Sequence, residues 1–281
     1  MTGTTAFIKA AVIGHPVAHS KSPLIHNHWI NQYRLAGHYD AIDIPPDQLA
    51  NGIEGLISEG YAGFNFTIPH KERACDLCDE LDEAARLIGA VNTMQIKEGR
   101  RIGMNTDAFG FITNIKTARP GFIFTGCTAL VLGAGGAARA VIQGLLEEGV
   151  AKILLTNRTR EKAEMLATVP QIEIFDWEDR HDRLGEADLL INTTSLGMSG
   201  QPVLDLRLAL LPKRALVTDI VYAPLHTDLL KKAETQGNQT VTGIGMLLHQ
   251  ARPAFQAWFG VMPDVTPALE KLILGTADPA L

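Results

Sequence analysis

Two charged residues and one glycine-rich turn carry most of the chemistry that can be read in this chain. The run Asn65-Phe66-Thr67-Ile68-Pro69-His70-Lys71 follows an apolar stretch and sets Lys71 just inside an expected helix start, where the helix dipole disfavours a cation. The run Gly103-Met104-Asn105-Thr106-Asp107 sets a carboxylate at the exit of an expected hairpin. A lysine and an aspartate brought into one cleft can transfer a proton, with the carboxylate holding the ammonium in place. Either residue taken alone is equally an ordinary surface charge.

The segment Gly133-Ala134-Gly135-Gly136-Ala137-Ala138 fits the pattern G-x-G-x-x-G/A with alanine in third place. It follows the apolar run TALVL and opens a helical run, which is the context a dinucleotide turn requires. Bare backbone lets a pyrophosphate approach closely, and the helix start offers free N–H groups and partial positive charge. A tight strand-to-helix turn without a ligand is the alternative. The next expected strand ends in Asn157-Arg158-Thr159-Arg160, with no acid before Glu161. Enzymes that use NAD place Asp or Glu there for the ribose 2′-hydroxyl. An acid would repel a 2′-phosphate, whereas a guanidinium clasps it, so NADP is the expected cofactor.

These residues need a frame. Apolar runs over 7–14, 38–44 and 61–68 read as strands, and 24–35 and 47–58 as helices. A further helix is expected from Pro69 through about Ile88, with proline suited to its first turn. Residues 89–107 read as a hairpin with Glu98-Gly99-Arg100 at its tip. A helix over 108–117 and a Pro-Gly loop at 120–121 lead into the glycine-turn unit. Strands over 152–159, 188–198 and 215–222, a helix over 161–167, and closing helices over 245–259 and 266–274 complete the chain. Alternation of strand and helix indicates an α/β class. The expected architecture is two α/β domains around a cleft, the second a Rossmann-type doubly wound parallel sheet. The expected domains are 1–107 for substrate and catalysis and 108–242 for the dinucleotide, with helices of 243–281 returning to the first.

The chain has 281 residues, 46% apolar and 20% charged, which is ordinary globular composition. A net charge of −6 argues against a general nucleic-acid or membrane-surface role. The start MTGTTAFIKAAVIG lacks a basic leader and a long apolar run, so a cytoplasmic location is expected. Cys75 and Cys78 form a C-x-x-C, but no second pair exists and the surrounding run reads as a helix. The nine histidines are scattered. No metal site is expected.

Nine ordered segments resemble the shikimate dehydrogenase family: GHPVAHSKSPLIHN (14–27), FNFTIPHK (64–71), GAVNT (89–93), GMNTD (103–107), GAGGAARA (133–140), NRT (157–159), INTTSLGM (191–198), DIVYAPLHT (219–227) and GIGMLLHQA (243–251). The resemblance implies NADPH-dependent reduction of 3-dehydroshikimate to shikimate in aromatic amino-acid biosynthesis, with Lys71 and Asp107 as the catalytic pair. It implies that Ser20 and Ser22 hold the substrate carboxylate. Thr67, Asn92, Asp107 and Gln250 would bind ring hydroxyls, with Tyr222 close by. Gly133, Ala134, Gly135, Gly136 and Ala137 would hold the pyrophosphate. Asn157, Arg158, Thr159, Arg160, Glu161 and Lys162 would surround the adenosine phosphate, and Thr193, Ser195, Ile220 and Gly243 the nicotinamide. Phe66 stands where the family often has a smaller valine, and its side chain is expected in the core. His249 beside Gln250 is also unusual. A quinate or dual quinate/shikimate dehydrogenase, or a non-catalytic ligand sensor on the same fold, is the alternative, and a monomer or homodimer is expected.

Overall fold

The computed structural model describes residues 7–275. In chain order the elements are β1 Ile8–Gly14, α1 Ser22–Gln32, β2 Gly37–Asp43, α2 Leu49–Ser58, β3 Tyr61–Phe66, β4 Glu80–Leu81, α3 Glu83–Ile88, β5 Thr93–Lys97 and β6 Arg100–Met104. They continue with α4 Asp107–Ala118, β7 Thr128–Leu132, α5 Gly136–Glu147, β8 Lys152–Thr156, α6 Arg160–Glu164, β9 Ile172–Ile174, β10 Leu189–Asn192 and β11 Leu216–Asp219. The last are α7 Asp228–Gln236, β12 Gln239–Val241, α8 Ile244–Phe259 and α9 Pro267–Gly275. The chain divides into two compact units. One runs to Thr106 and resumes at Leu248, and the other is Asp107–Leu247.

The first unit is built on a sheet of order β2-β1-β3-β5-β6-β4. β1 lies between β2 and β3, parallel to both. β3, β5 and β6 run antiparallel in succession, and β4 lies parallel to β6. Ile13, Phe64, Phe66, Val91 and Met94 fill one core of this unit, and Phe66 points inward as expected, with 2% of its surface exposed. The end of α8 is bound to the sheet: Trp258 Nε1 donates to the Met94 carbonyl at 3.0 Å and Gln95 Nε2 donates to the Ala257 carbonyl. Trp29 Nε1 on α1 donates to the Asp264 carbonyl at 3.0 Å, just before α9.

The second unit holds a wholly parallel sheet of order β12-β11-β10-β7-β8-β9. Numbered from its own first strand this is 3-2-1-4-5-6, the Rossmann order, and the direction of winding reverses between β7 and β10. The strands read as unbroken apolar runs because both faces are covered. Ala129 and Val131 of β7 join a core on one face with Val141, Ile153 and Ile191. Leu130 and Leu132 join another on the opposite face with Leu154, Leu190 and Val217. The α/β class with a Rossmann-type second sheet is therefore as the sequence indicates. Among the described residues no helix is long and apolar enough to cross a membrane.

The expected helix from Pro69 to Ile88 is absent. Residues 73–77 form a 3-10 turn, β4 follows, and only Glu83–Ile88 is α-helical. The Asp79 N–H donates to the Arg101 carbonyl and the Asp82 N–H to the Gly103 carbonyl, both at 2.8 Å. Pairing with β6 thus takes backbone groups that a helix would have used, and the Asp82 carboxylate caps α3 by accepting from Ala85 N at 2.6 Å. Cys75 and Cys78 therefore do not share a helix. Lys71 sits in the turn before, so a helix dipole does not act on it. The expected strand over 188–198 stops at Asn192, whose Oδ1 accepts from the Thr194 N–H and Oγ1. That side-chain turn replaces ladder bonds. The strands expected to Thr159 and Tyr222 likewise end earlier, at Thr156 and Asp219, and the helix over 161–167 reaches only Glu164.

Candidate active site

In the first unit the loop after β1 leads into α1. The Ser20 N–H donates to the Val17 carbonyl at 2.9 Å and the Ser22 N–H to Ser20 Oγ at 3.3 Å. The two serines are thereby held together at the first turn of α1. Pro23 follows, where a missing N–H costs little. Hydroxyls beside a helix start suit a carboxylate ligand. Asp43 braces the loop, with His15 Nδ1 at 2.6 Å and Val17 N at 3.1 Å from its oxygens. The His15 hydrogen bond holds the Asp43 carboxyl below its ordinary range. Gly14 is required by close approach: a Cβ there would meet Thr67 Cγ2 at 2.5 Å.

Thr67 and Lys71 lie in the loop after β3, both half-buried. The Lys71 carbonyl accepts from the Val91 N–H at 2.8 Å, which ties the lysine backbone to the turn before β5. Asn92, in that turn, is 2% exposed. Its Nδ2 donates to Thr106 Oγ1 at 2.9 Å and to Gln250 Oε1 at 3.5 Å, and its Oδ1 accepts from Thr106 N at 3.0 Å. Asn92 and Gln250 are thus brought together. Asp107, next in the chain after Thr106, opens α4 of the second unit and is 9% exposed. A helix start favours a carboxylate.

In the second unit Gly133 has φ +106° and its Cβ would lie 2.7 Å from Thr193 Oγ1, so only glycine fits. Around Gly135 and Gly136 a Cβ would meet nothing within 4 Å, and no side chain caps the start of α5. Open backbone at a helix start could hold an anionic group such as a diphosphate. Asn157 Oδ1 accepts from Ala134 N at 3.2 Å and its Nδ2 donates to the Thr159 carbonyl at 2.8 Å, linking the glycine turn to the loop after β8. The Arg158 side chain makes no hydrogen bond or ion pair among the described residues. Arg160 differs: it pairs with Glu164 at 2.9 Å and with Asp176. Glu161 and Lys162 are exposed on α6.

Thr193, Ile220 and Gly243 follow the carboxyl ends of β10, β11 and β12, where open α/β sheets bind ligands. Thr193 Oγ1 donates to the Leu132 carbonyl at 2.8 Å, and a Cβ on Gly243 would lie 2.5 Å from the Ile220 carbonyl oxygen. Tyr222 is half-buried in the loop after β11, and burial raises its phenol pKa. A cavity of about 380 Å³ is lined by Asn157, Arg158, Thr194 and Ser195 together with Trp177 and Arg180. Sequence reasoning missed these last two, which lie on a 3-10 segment after β9 that no motif marks. The Arg180 guanidinium lies over the Trp177 ring at 4.9 Å.

His249 is buried in the first unit, 3.5 Å from Arg252, and burial lowers its pKa to about 4. Among the described residues no cluster of His, Cys, Asp or Glu could hold a metal ion. The three cysteines are free thiols, and burial raises Cys78 to about 12.

Three family models match in chain order: the shikimate dehydrogenase substrate binding domain over residues 12–94, shikimate/quinate 5-dehydrogenase over 117–206, and the shikimate 5′-dehydrogenase C-terminal domain over 243–273. The NADP(+) shikimate dehydrogenase of Azorhizobium caulinodans is 48% identical over 268 residues, 95% of each chain. The chain belongs to the shikimate dehydrogenase family. The family's Thermus thermophilus enzyme, solved with NADP(H) and shikimate, aligns over 96% of this chain and 99% of its own at 37% identity and TM-score 0.84. Quinate dehydrogenase from Corynebacterium glutamicum, solved with NAD, aligns over 96% of this chain and 100% of its own at 30% identity and TM-score 0.89.

Proposed function

We propose that this chain catalyses the reversible NADPH-dependent reduction of 3-dehydroshikimate to shikimate, a step of aromatic amino-acid biosynthesis. The observation that carries this reading is 48% identity, over nearly the whole chain, to an NADP-dependent shikimate dehydrogenase. In the proposed site Ser20 and Ser22 donate to the substrate carboxylate, and Thr67, Asn92 and Gln250 bind ring hydroxyls, with Tyr222 beside them. Lys71 Nζ gives a proton to the carbonyl oxygen as it becomes an alkoxide. Asp107 orients that ammonium and accepts from the same hydroxyl. A pocket closed to water makes each of these charge-assisted contacts stronger than it is in solution. The bound cofactor supplies the hydride. Gly133 to Ala137 hold its pyrophosphate, Asn157 to Lys162 its adenosine phosphate, and Thr193, Ser195, Ile220 and Gly243 its nicotinamide. We place the enzyme in the cytoplasm, as a monomer or homodimer of the domains expected at 1–107, 108–242 and 243–281.

Quinate oxidation with NAD is the second reading, favoured by the TM-score of 0.89 to the quinate enzyme. The residues after β8 argue for NADP, since Arg158 is uncommitted and no acid stands before Glu161. A charge-assisted contact of this kind contributes roughly 1.5–3 kcal/mol, or about 10- to 150-fold. Wild type is expected to prefer NADP over NAD by at least about tenfold in kcat/KM. Arg158→Ala is expected to lower the NADP value while barely changing the NAD value. Steady-state series with each cofactor, on shikimate and on quinate, test the reading. A preference for NAD and quinate would replace it with the second, and equal losses with both cofactors would make Arg158 a structural residue.

A further inference from the structure

Tyr39 is a fully buried phenol that neither the family comparison nor the proposed reaction uses. It lies on β2, and Asn65 lies two strands away on β3, with β1 between them. Ala10 stands opposite Tyr39 in register on β1, a small residue where a larger one would stand in the way of a ring crossing the sheet. The Tyr39 hydroxyl donates to Asn65 Oδ1 at 2.6 Å. Asn65 Nδ2 then donates to the Asn92 carbonyl and to Thr93 Oγ1, each at 3.0 Å. Thr93 Oγ1 donates in turn to Asn92 Oδ1 at 3.0 Å. From Asn92 the bonds run on to Thr106 and Gln250.

The other side of the phenol faces α1. The Ser22 hydroxyl interacts with the Tyr39 oxygen. His26, one helical turn on and so on the same face, stacks on the Tyr39 ring at 4.1 Å with planes 7° apart. Asn27 closes two bonds with the Tyr39 backbone: its Nδ2 donates to the carbonyl at 2.8 Å and its Oδ1 accepts from the N–H at 3.0 Å. Ring plane, backbone and hydroxyl are all held.

We infer that Tyr39 is a positioning residue that couples Ser22, at the carboxylate end of the substrate, to Asn92 and Gln250, at the ring-hydroxyl end. A phenol is suited to this because one oxygen both accepts and donates. Phenylalanine keeps the stack but takes from Asn65 Oδ1 its 2.6 Å donor and frees Ser22 to turn. Asn65, now under-bonded, is then free to shift, and with it the Asn92 amide. The inference rests on the function proposed above.

The test is steady-state kinetics on the full-length enzyme for wild type, Tyr39→Phe, Ser22→Ala and the double variant, with thermal melts of each. Tyr39→Phe is expected to raise KM for shikimate about three- to tenfold, with KM for NADP unchanged. The penalties of Tyr39→Phe and Ser22→Ala should be non-additive, because one acts through the other. A residue with only a structural role would lower the melting temperature, leave KM for shikimate where it was and add its effect independently. An unchanged KM for shikimate, or additive penalties, overturns the inference. If Tyr39→Phe fails to fold, Thr93→Val, which removes the hydroxyl between Asn65 and Asn92 at nearly constant shape, carries the same expectation. Absence of shikimate turnover by wild type would overturn the proposed function and this inference with it. An active wild type with an unaffected Tyr39→Phe overturns this inference alone.

Discussion

Lys71→Ala is expected to lower kcat by about 10²–10⁴-fold, the range typical of a lost general acid–base group. KM for shikimate should change far less, because the truncated side chain covers little of the substrate. The backbone link survives the substitution, because the Lys71 carbonyl that accepts from Val91 N at 2.8 Å persists in alanine. Stopped-flow or steady-state turnover, with circular dichroism to verify folding, checks this. The loss should be largest where the alkoxide most needs a proton, so the deficit should be visible in single-turnover reduction as well as in oxidation. Near-normal turnover in a folded Lys71→Ala enzyme would remove the lysine from the mechanism and leave Asp107 as the group to examine.

Stability should fall by about 4 kcal/mol between pH 8 and pH 5 through two histidines. His26 has no exposed surface, and neither ring nitrogen makes a hydrogen bond of ordinary geometry, although the Asn65 side chain offsets part of the burial. Burial lowers its pKa to about 3, and that of His249 to about 4. Both titrate near 6.5 in the unfolded chain. Below that value the unfolded state binds protons that the folded state refuses. Stability is therefore complete above pH 6.5 and declines as pH falls towards 4, by about 1.4 kcal/mol per pH unit for each histidine. Set against a typical 5–15 kcal/mol, that makes the fold acid-sensitive well above carboxylate titration. Asp82 and Asp219, which burial pushes upward, act in the opposite sense at the acid end. His26→Phe isolates the effect because phenylalanine can keep the stack on Tyr39 without titrating. Urea unfolding at pH 8, 6 and 5 should show a clearly smaller pH dependence in that variant than in wild type, the remainder coming from His249 and from His70, which burial also lowers. A wild-type unfolding free energy that is flat over this range, or an unchanged slope in His26→Phe, would refute the assignment.

The local patterns that carried furthest were those enforced by backbone chemistry. The glycine turn was legible because a left-handed Gly133 and a bare helix start leave few other residues possible. The apolar runs of β7, β8, β10 and β11 were legible because a parallel sheet covered on both faces tolerates little else. Helix α7 carries equally local signals: Thr227 caps it by accepting from Leu230 N, and Gly237 ends it in the left-handed region at φ +94°.

By itself, then, the sequence determined the α/β class, the Rossmann-type unit, the glycine turn and the family, because each rests on residue types whose local geometry has no close substitute. The tertiary structure alone decided the rest. It broke the helix expected over 69–88, because the N–H groups of Asp79 and Asp82 found partners on β6, some twenty residues on in the chain. It set Arg158 apart from Arg160, since only fold proximity brings Asp176 to the latter. It brought Trp177 and Arg180 to the cavity beside Arg158, and it joined Tyr39 to Asn92 through Asn65 across three strands. Long-range pairing competes with local propensity on equal terms at about 1 kcal/mol per hydrogen bond, and which partner wins depends on what the rest of the chain has already brought near.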